Sequence, residues 1–301
     1  MILITGGTGY LGGRLASYLR KLNFEVRIGG RKASADSYGM DYSDDSSLEV
    51  SCKEISTIIH LACMNAQSCE KDPELSFVIN SIGTLKLLKA AEKEGVSRFI
   101  YFSTAHVYCS PLIGEINEEF LTQPIHPYSI SKKCAEDFVI EASINKRISG
   151  TIFRLTNAVG SPVNPEANCW MLVANDLCRQ VVLNKHMELY SNEYTKRDFV
   201  PISSLCHVVY SALLSDNISS EIVNVSSGIG LTLRELTDLI VERSQKVLGF
   251  KPTVNFNDES VNDDQKNLII SNSKLNRLGI KVDVDLANEI DQILLNCTKW
   301  F

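Results

Sequence analysis

Tyr128 and Lys132 stand four residues apart in Tyr128-Ser-Ile-Ser-Lys132, a spacing that puts both on one face of a helix. A cation there favours the phenolate, so the phenol is expected to fall from about 10 towards working pH. That would make Tyr128 a general acid/base for a hydroxyl or a carbonyl. Alone, the spacing is common by chance. Its company is Tyr101-Phe-Ser103-Thr104-Ala-His106-Val-Tyr108, read as a strand leaving a sheet at its carboxyl end, where open α/β sheets place their ligands. Thr104 would there hold a reacting oxygen beside the Tyr128 phenol, unless Ser103 and Thr104 only satisfy backbone groups of the turn.

A second constellation opens the chain. Gly6, Gly9 and Gly12, in Gly6-Gly7-Thr8-Gly9-Tyr10-Leu11-Gly12, follow an apolar strand and lead into a helix. Glycines allow a tight turn and close backbone approach, so helix N–H groups can face a pyrophosphate. The second strand then runs into Gly29-Gly30-Arg31-Lys32. A dinucleotide without a 2′-phosphate usually meets an Asp or Glu here. Two cations beside two small residues would instead admit and pair a phosphate, which favours NADP over NAD; the competing reading is a solvated basic loop.

The elements that must position these groups alternate short apolar runs with helical periods, as βαβ units and a parallel sheet do. Strands are expected at Met1–Thr5, Phe24–Ile28, Thr57–Leu61, Phe99–Ser103, Gly150–Leu155 and Glu221–Val225. Helices are expected after the glycine turn, where Leu11, Leu15, Leu19 and Leu22 share a face, and over Ser76–Glu94, Tyr128–Asn145, Trp170–Asn184 and Leu233–Leu248. Gly95 marks a helix end, and the polar, acidic Asn255–Gln265 reads as a loop. The expected fold class is α/β: a Rossmann-type doubly wound parallel sheet with a smaller, interleaved C-terminal substrate-binding lobe. Residues 1–156 would form the dinucleotide-binding domain, with 204–226 returning to it, and 157–203 and 227–301 the lobe.

Composition narrows the classes. With 301 residues, 44% hydrophobic and 22% charged, the chain can bury a core without metals or staples. A net charge of −6 argues against a nucleic-acid binder. The nine cysteines lack C-x-x-C spacing and read as buried, reduced thiols. No secretory leader or bilayer-length apolar run is read, so no membrane partner and a cytoplasmic protein are expected.

Taken in order, Thr5-Gly-Gly-Thr-Gly-Tyr-Leu-Gly12, His60-Leu61-Ala62, Asn80-Ser-Ile-Gly83-Thr84, Ser103-Thr104-Ala-His-Val-Tyr108 and Tyr128/Lys132 resemble the extended short-chain dehydrogenases/reductases. Arg154-Leu-Thr-Asn157, Arg197-Asp198-Phe199 and Asn224-Val-Ser-Ser-Gly228 continue the resemblance along nearly the whole chain. It is to the NAD-dependent epimerase/dehydratase family, whose usual substrates are nucleoside-diphosphate sugars. The resemblance implies that Thr104, Tyr128 and Lys132 are the catalytic set. It places Asp41 and Tyr42 at the adenine and Leu61, Ala62 and Cys63 along the cofactor, with Asn80 and Ser103 as further cofactor contacts. Asn157 and Arg197 would bind the diphosphate; a guanidinium fork suits phosphate oxygens, the alternative being a surface ion pair with Asp198. A homodimer through the helices at Ser76–Glu94 and Tyr128–Asn145 is also implied.

Departures from the family pattern are Gly30 in place of an acid, Ser203 and Ser204 in place of an Asp pair, and Cys109 in place of glycine. His106 occupies a position that faces substrate in relatives. It would either move a proton near neutral pH or simply bond to backbone or a ligand hydroxyl. The implied chemistry is hydride transfer at a ring carbon of the sugar, as a 4-epimerase or a 4-keto-sugar reductase. A non-catalytic NADP-binding regulator and a reductase of lipophilic or phenolic ketones are the rivals.

Overall fold

The computed structural model describes residues 1–33, 37–256 and 267–301. Its main sheet has strands β1 (Ile2–Thr5), β2 (Val26–Gly30), β3 (Tyr38–Gly39), β4 (Thr57–His60), β5 (Arg98–Thr104), β6 (Ser149–Leu155) and β7 (Ile222–Val225). All pair in parallel, in the order β7-β6-β5-β4-β1-β2-β3. The longer helices are α1 (Tyr10–Lys21), α2 (Asp45–Cys52), α3 (Gly83–Lys93), α4 (Pro127–Ile144), α5 (Val173–Asn184), α6 (Ile202–Leu214), α7 (Leu233–Leu248) and α8 (Ala287–Trp300).

Alternation along the strands explains why helices cover both faces. Ile4, Ile59, Ile100 and Phe102 pack with Leu15 and Leu19 of α1 and Leu205, Val208 and Val209 of α6. On the other face, Leu3, Ile58, Phe99 and Tyr101 meet Leu48 of α2, Leu87 and Leu88 of α3, and Ala135 and Val139 of α4. A third core joins Leu177 and Val181 of α5, Leu236 and Ile240 of α7, and Ile290 and Ile293 of α8. This is a Rossmann-type doubly wound sheet with a smaller, interleaved C-terminal lobe. Strand order reverses between β1 and β4, so the crevice at their carboxyl ends is the ligand position of such sheets.

Several elements differ from expectation. Strand β2 starts at Val26, because Phe24 turns aside to pack edge-on against Tyr210. The helix expected over Ser76–Glu94 is π-helical at Phe77–Ile82 before α3 begins; the extra residue per turn swings Asn80 and Ser81 inward, where both are buried. Helix α5 begins at Val173, after Trp170 has donated its indole N–H to the Pro165 carbonyl. Helices α6 and α8 and the strand Lys196–Pro201 were not read. That strand pairs with Asn157–Val159 and Gly230–Thr232, far away in sequence. Of the loop expected at Asn255–Gln265, the part from 257 onward lies outside the described residues, and Asn255 and Phe256 end the strand Thr253–Phe256.

Glu289 of α8 fastens the lobe to the sheet. Its carboxylate is buried, accepts two bonds from the Arg14 guanidinium of α1, and takes the Ser203 N–H at the start of α6. Ser204 donates to the Asp283 carbonyl, so the serines that replace an acid pair are served by oxygens from the C-terminal segment. All nine cysteines are free, six of them buried. Among the described residues no helix is long and apolar enough to cross a membrane.

Candidate active site

The glycine turn is tight by necessity. Gly6 has φ +67, and a Cβ there would lie 2.9 Å from the Ala62 nitrogen; one on Gly12 would lie 2.3 Å from the Gly6 carbonyl oxygen. Gly9 caps α1 without a side-chain bond, and no acid stands in the first turn. The orphan N–H groups of α1 therefore suit an anion. Thr8 is exposed beside them. Leu11 packs into the core, and the Tyr10 hydroxyl reaches the Ala158 carbonyl and the Asn175 side-chain oxygen.

At the end of β2 a Cβ on Gly30 would meet nothing nearer than Thr8 Cγ2 at 3.4 Å. Packing does not demand glycine there, so the missing carboxylate is a property of the site. Arg31 and Lys32 are exposed and form no ion pair among the described residues. Asp41 is fixed by the Ser43 hydroxyl at 2.6 Å and N–H at 2.8 Å, which hold its carboxyl below the usual range. Tyr42 lies half-buried against Gly83 and the His60 ring; burial raises its phenol, and the nearby Thr5 hydroxyl opposes the rise.

A polar relay joins the turn to helix α4. The Ala62 N–H donates to the Thr5 hydroxyl, which lies 2.6 Å from His60 Nδ1; His60 Nε2 lies 2.9 Å from the Thr84 hydroxyl, which donates to the Asn80 carbonyl. Because Thr84 donates onward, Nε2 of His60 must carry a proton; burial lowers the ring's pKa and keeps it neutral, leaving Nδ1 to accept from Thr5. The Asn80 side chain accepts the Met64 N–H and donates to the hydroxyl of Ser131, which donates to the Tyr128 carbonyl. Asn80 thus fixes the loop after Leu61-Ala62-Cys63 against the helix bearing Tyr128 and Lys132. The sequence reading found Asn80 but missed His60 as its mechanical partner.

Thr104 ends β5, buried, and accepts the His106 N–H at 3.3 Å, leaving its own proton to donate. The Ser103 hydroxyl is buried without a partner. Tyr128 and His106 line one half-open cleft of about 160 Å³ with Ala66, Ser110, His126 and Ser129. Lys132 is buried one turn beyond Tyr128, its ammonium 4.2 Å from the centre of the Tyr101 ring.

This corrects the expected electrostatics. Burial raises the Tyr128 phenol well above its ordinary value, and the Cys63 and Cys69 thiols add to the rise. Lys132 is itself lowered by burial, against the pull of Cys63, Glu136 and Cys69. Desolvation outweighs the helical Tyr–Lys spacing, and Tyr128 stands as a neutral phenol. His106 is open to the cleft, yet the surrounding protein lowers its pKa by desolvation; Arg197 and His126 act in the same sense, and a backbone bond at Cys109 opposes them.

Arg197 and Asp198 are no surface ion pair. Asp198 is buried and accepts from the Thr156 hydroxyl, the Ser227 N–H and hydroxyl, and the Gly228 N–H. Burial still raises its carboxyl. Arg197 has no carboxylate among the described residues and is lowered by burial alone, so its guanidinium is free for an anion. Asn157 spends its N–H on the Asp198 carbonyl at 2.9 Å. Behind the cleft, Arg154 and Glu136 form a buried two-bond ion pair, with the guanidinium over the Tyr108 ring.

A family model for the NAD dependent epimerase/dehydratase family matches residues 2–226. The chain belongs to that family. It is therefore an enzyme of the extended short-chain dehydrogenase/reductase type, a class that works with a nicotinamide dinucleotide. Among its relatives, the GDP-6-deoxy-D-talose 4-dehydrogenase of Aggregatibacter actinomycetemcomitans is 30% identical, covering 83% of this chain and 82% of its own. The UDP-glucose 4-epimerase of Rhizobium meliloti is 25% identical over 95% of this chain and 93% of its own. In fold, the RMD protein of Pseudomonas aeruginosa, solved with NADPH, superposes with a TM-score of 0.83 at 23% identity, covering 100% of this chain and 99% of its own.

The residues present fit a dinucleotide. The uncapped start of α1, the room beside Gly30 and the partnerless Ser103 hydroxyl stand at the carboxyl ends of β1, β2 and β5.

Proposed function

We propose that the protein is an NADP(H)-dependent reductase or dehydrogenase acting at C4 of a nucleoside-diphosphate hexose. The carrying observation is the end of β2, where Gly30 leaves space without packing need and Arg31 and Lys32 form no ion pair among the described residues. That corner suits a 2′-phosphate, and among the described residues it offers no carboxylate to a bare ribose. The nicotinamide supplies hydride-transfer chemistry when bound. Tyr128 exchanges a proton with the sugar oxygen, Thr104 orients that oxygen, and Lys132 holds the ribose hydroxyls. Arg197 takes the diphosphate, with Asn157 beside it. The setting is cytoplasmic.

NADPH and NADH consumption with a panel of nucleoside-diphosphate 4-ketohexoses tests this. Turnover faster with NADPH is expected, and turnover with neither cofactor would overturn it. A 4-epimerase is the second reading, favoured by near full-length similarity to the Rhizobium enzyme. A dinucleotide retained through native purification would select it.

The same reading pairs two copies through α4 and the π-helical segment before α3. Phe77, Val78, Ile82 and Ile130 are exposed apolar residues there. Sedimentation would show a dimer that Val78→Glu dissociates; a monomeric wild type would overturn the pairing.

A further inference from the structure

Of the residues lining the cleft, His126 has no part in the chemistry above. It is the N-cap of α4, and its Nδ1 accepts the Tyr128 N–H at 3.2 Å. The Ser129 hydroxyl closes the box, accepting the His126 N–H and donating to the His126 carbonyl at 2.9 Å. A neutral imidazole has one acceptor nitrogen and one N–H. With Nδ1 accepting, the proton must sit on Nε2, so the cap itself fixes the tautomer. Since the ring also lines the cleft, Nε2–H is the polar group it offers a ligand.

We propose that His126 is a positioning residue with two faces. Nδ1 holds the first turn of α4, and so Tyr128, in place, while Nε2–H donates to the sugar portion of the bound substrate. The inference rests on Tyr128 being the acid/base. The groups facing His126 are His106 from the turn after β5, the Tyr128 phenol on its own helix, and Arg197, which acts on His106 from the strand Lys196–Pro201. The helix Ala66–Lys71 brings only Ala66 to the cleft, and the loop at Ser110 brings a hydroxyl.

Asparagine also caps helices. The values of kcat and KM are measured for wild type, His126→Asn and His126→Ala. The Asn variant keeps kcat within about threefold while KM rises roughly tenfold, the scale of one lost hydrogen bond. His126→Ala loses roughly tenfold in kcat as well. An Asn variant that fails to rescue kcat over Ala, or leaves KM unchanged, overturns the proposal. The imidazole ¹⁵N shifts of the whole, substrate-free protein decide the cap independently of any activity. A bare Nδ1 with protonated Nε2 is expected, and the opposite tautomer overturns it even if no sugar is ever turned over.

Discussion

His60 and Thr5 join the ends of β4 and β1 where the glycine turn begins, Nδ1 and hydroxyl lying 2.6 Å apart. Burial, with Lys132 adding to it, holds the imidazole down to about 3, against about 6.5 for a free histidine. The unfolded chain takes up a proton below about 6.5 that the folded chain refuses, so stability falls as pH drops from there towards 3. The slope is about 1.4 kcal/mol per pH unit in that window. Urea unfolding across the range should show it, and His60→Gln should remove one proton's worth of slope. An unchanged slope in the variant would sink this assignment.

The Arg154–Glu136 pair predicts a different pattern. Arg154→Leu alone strands a buried carboxylate and should cost about 3–5 kcal/mol, whereas the double Leu variant should recover much of that. Urea midpoints for the two singles and the double close the cycle. Additive losses would show that the pair is not coupled.

Gly30→Asp tests cofactor choice. The side chain has room, so the fold should survive, while the carboxylate repels a 2′-phosphate and accepts from a ribose. KM for NADPH should rise roughly ten- to a hundredfold, the scale of a lost charge-assisted pair, and KM for NADH should fall. Steady-state kinetics with both cofactors decide it; equal effects on both would place the 2′-phosphate elsewhere.

Much of this was legible in the sequence because its signals are local. Leu11, Leu15 and Leu19 of α1, the glycine turn and the Tyr128–Lys132 spacing each fit within about one element, while Leu22, expected on the same face, lies past the helix end and is exposed. What stayed hidden depends on distant partners. His60 bonds Thr5 and Thr84, 55 and 24 residues away. Helix α6 is mostly apolar and packs Ile202, Leu205, Val208 and Val209 into the core, while its exposed side carries only Ser203, His207 and Leu214, too thin a polar face to mark the period. The Tyr128 expectation failed for a related reason. Helical spacing places Lys132 near the phenol, but only the fold reveals that Lys132 is buried, that Tyr128 is desolvated enough to raise its phenol, and that Tyr101 lies beneath the ammonium.

The central claim is that Tyr128 donates a proton while hydride reaches C4 of a nucleoside-diphosphate sugar. NADPH deuterated at the transferable position, incubated with a 4-keto nucleotide sugar, should leave deuterium at C4 of the product by NMR with wild type. Tyr128→Phe should bind NADPH as tightly but lose at least about a hundredfold in rate, as expected for removal of a general acid. Label elsewhere than C4, or a Phe variant as fast as wild type, would contradict the account.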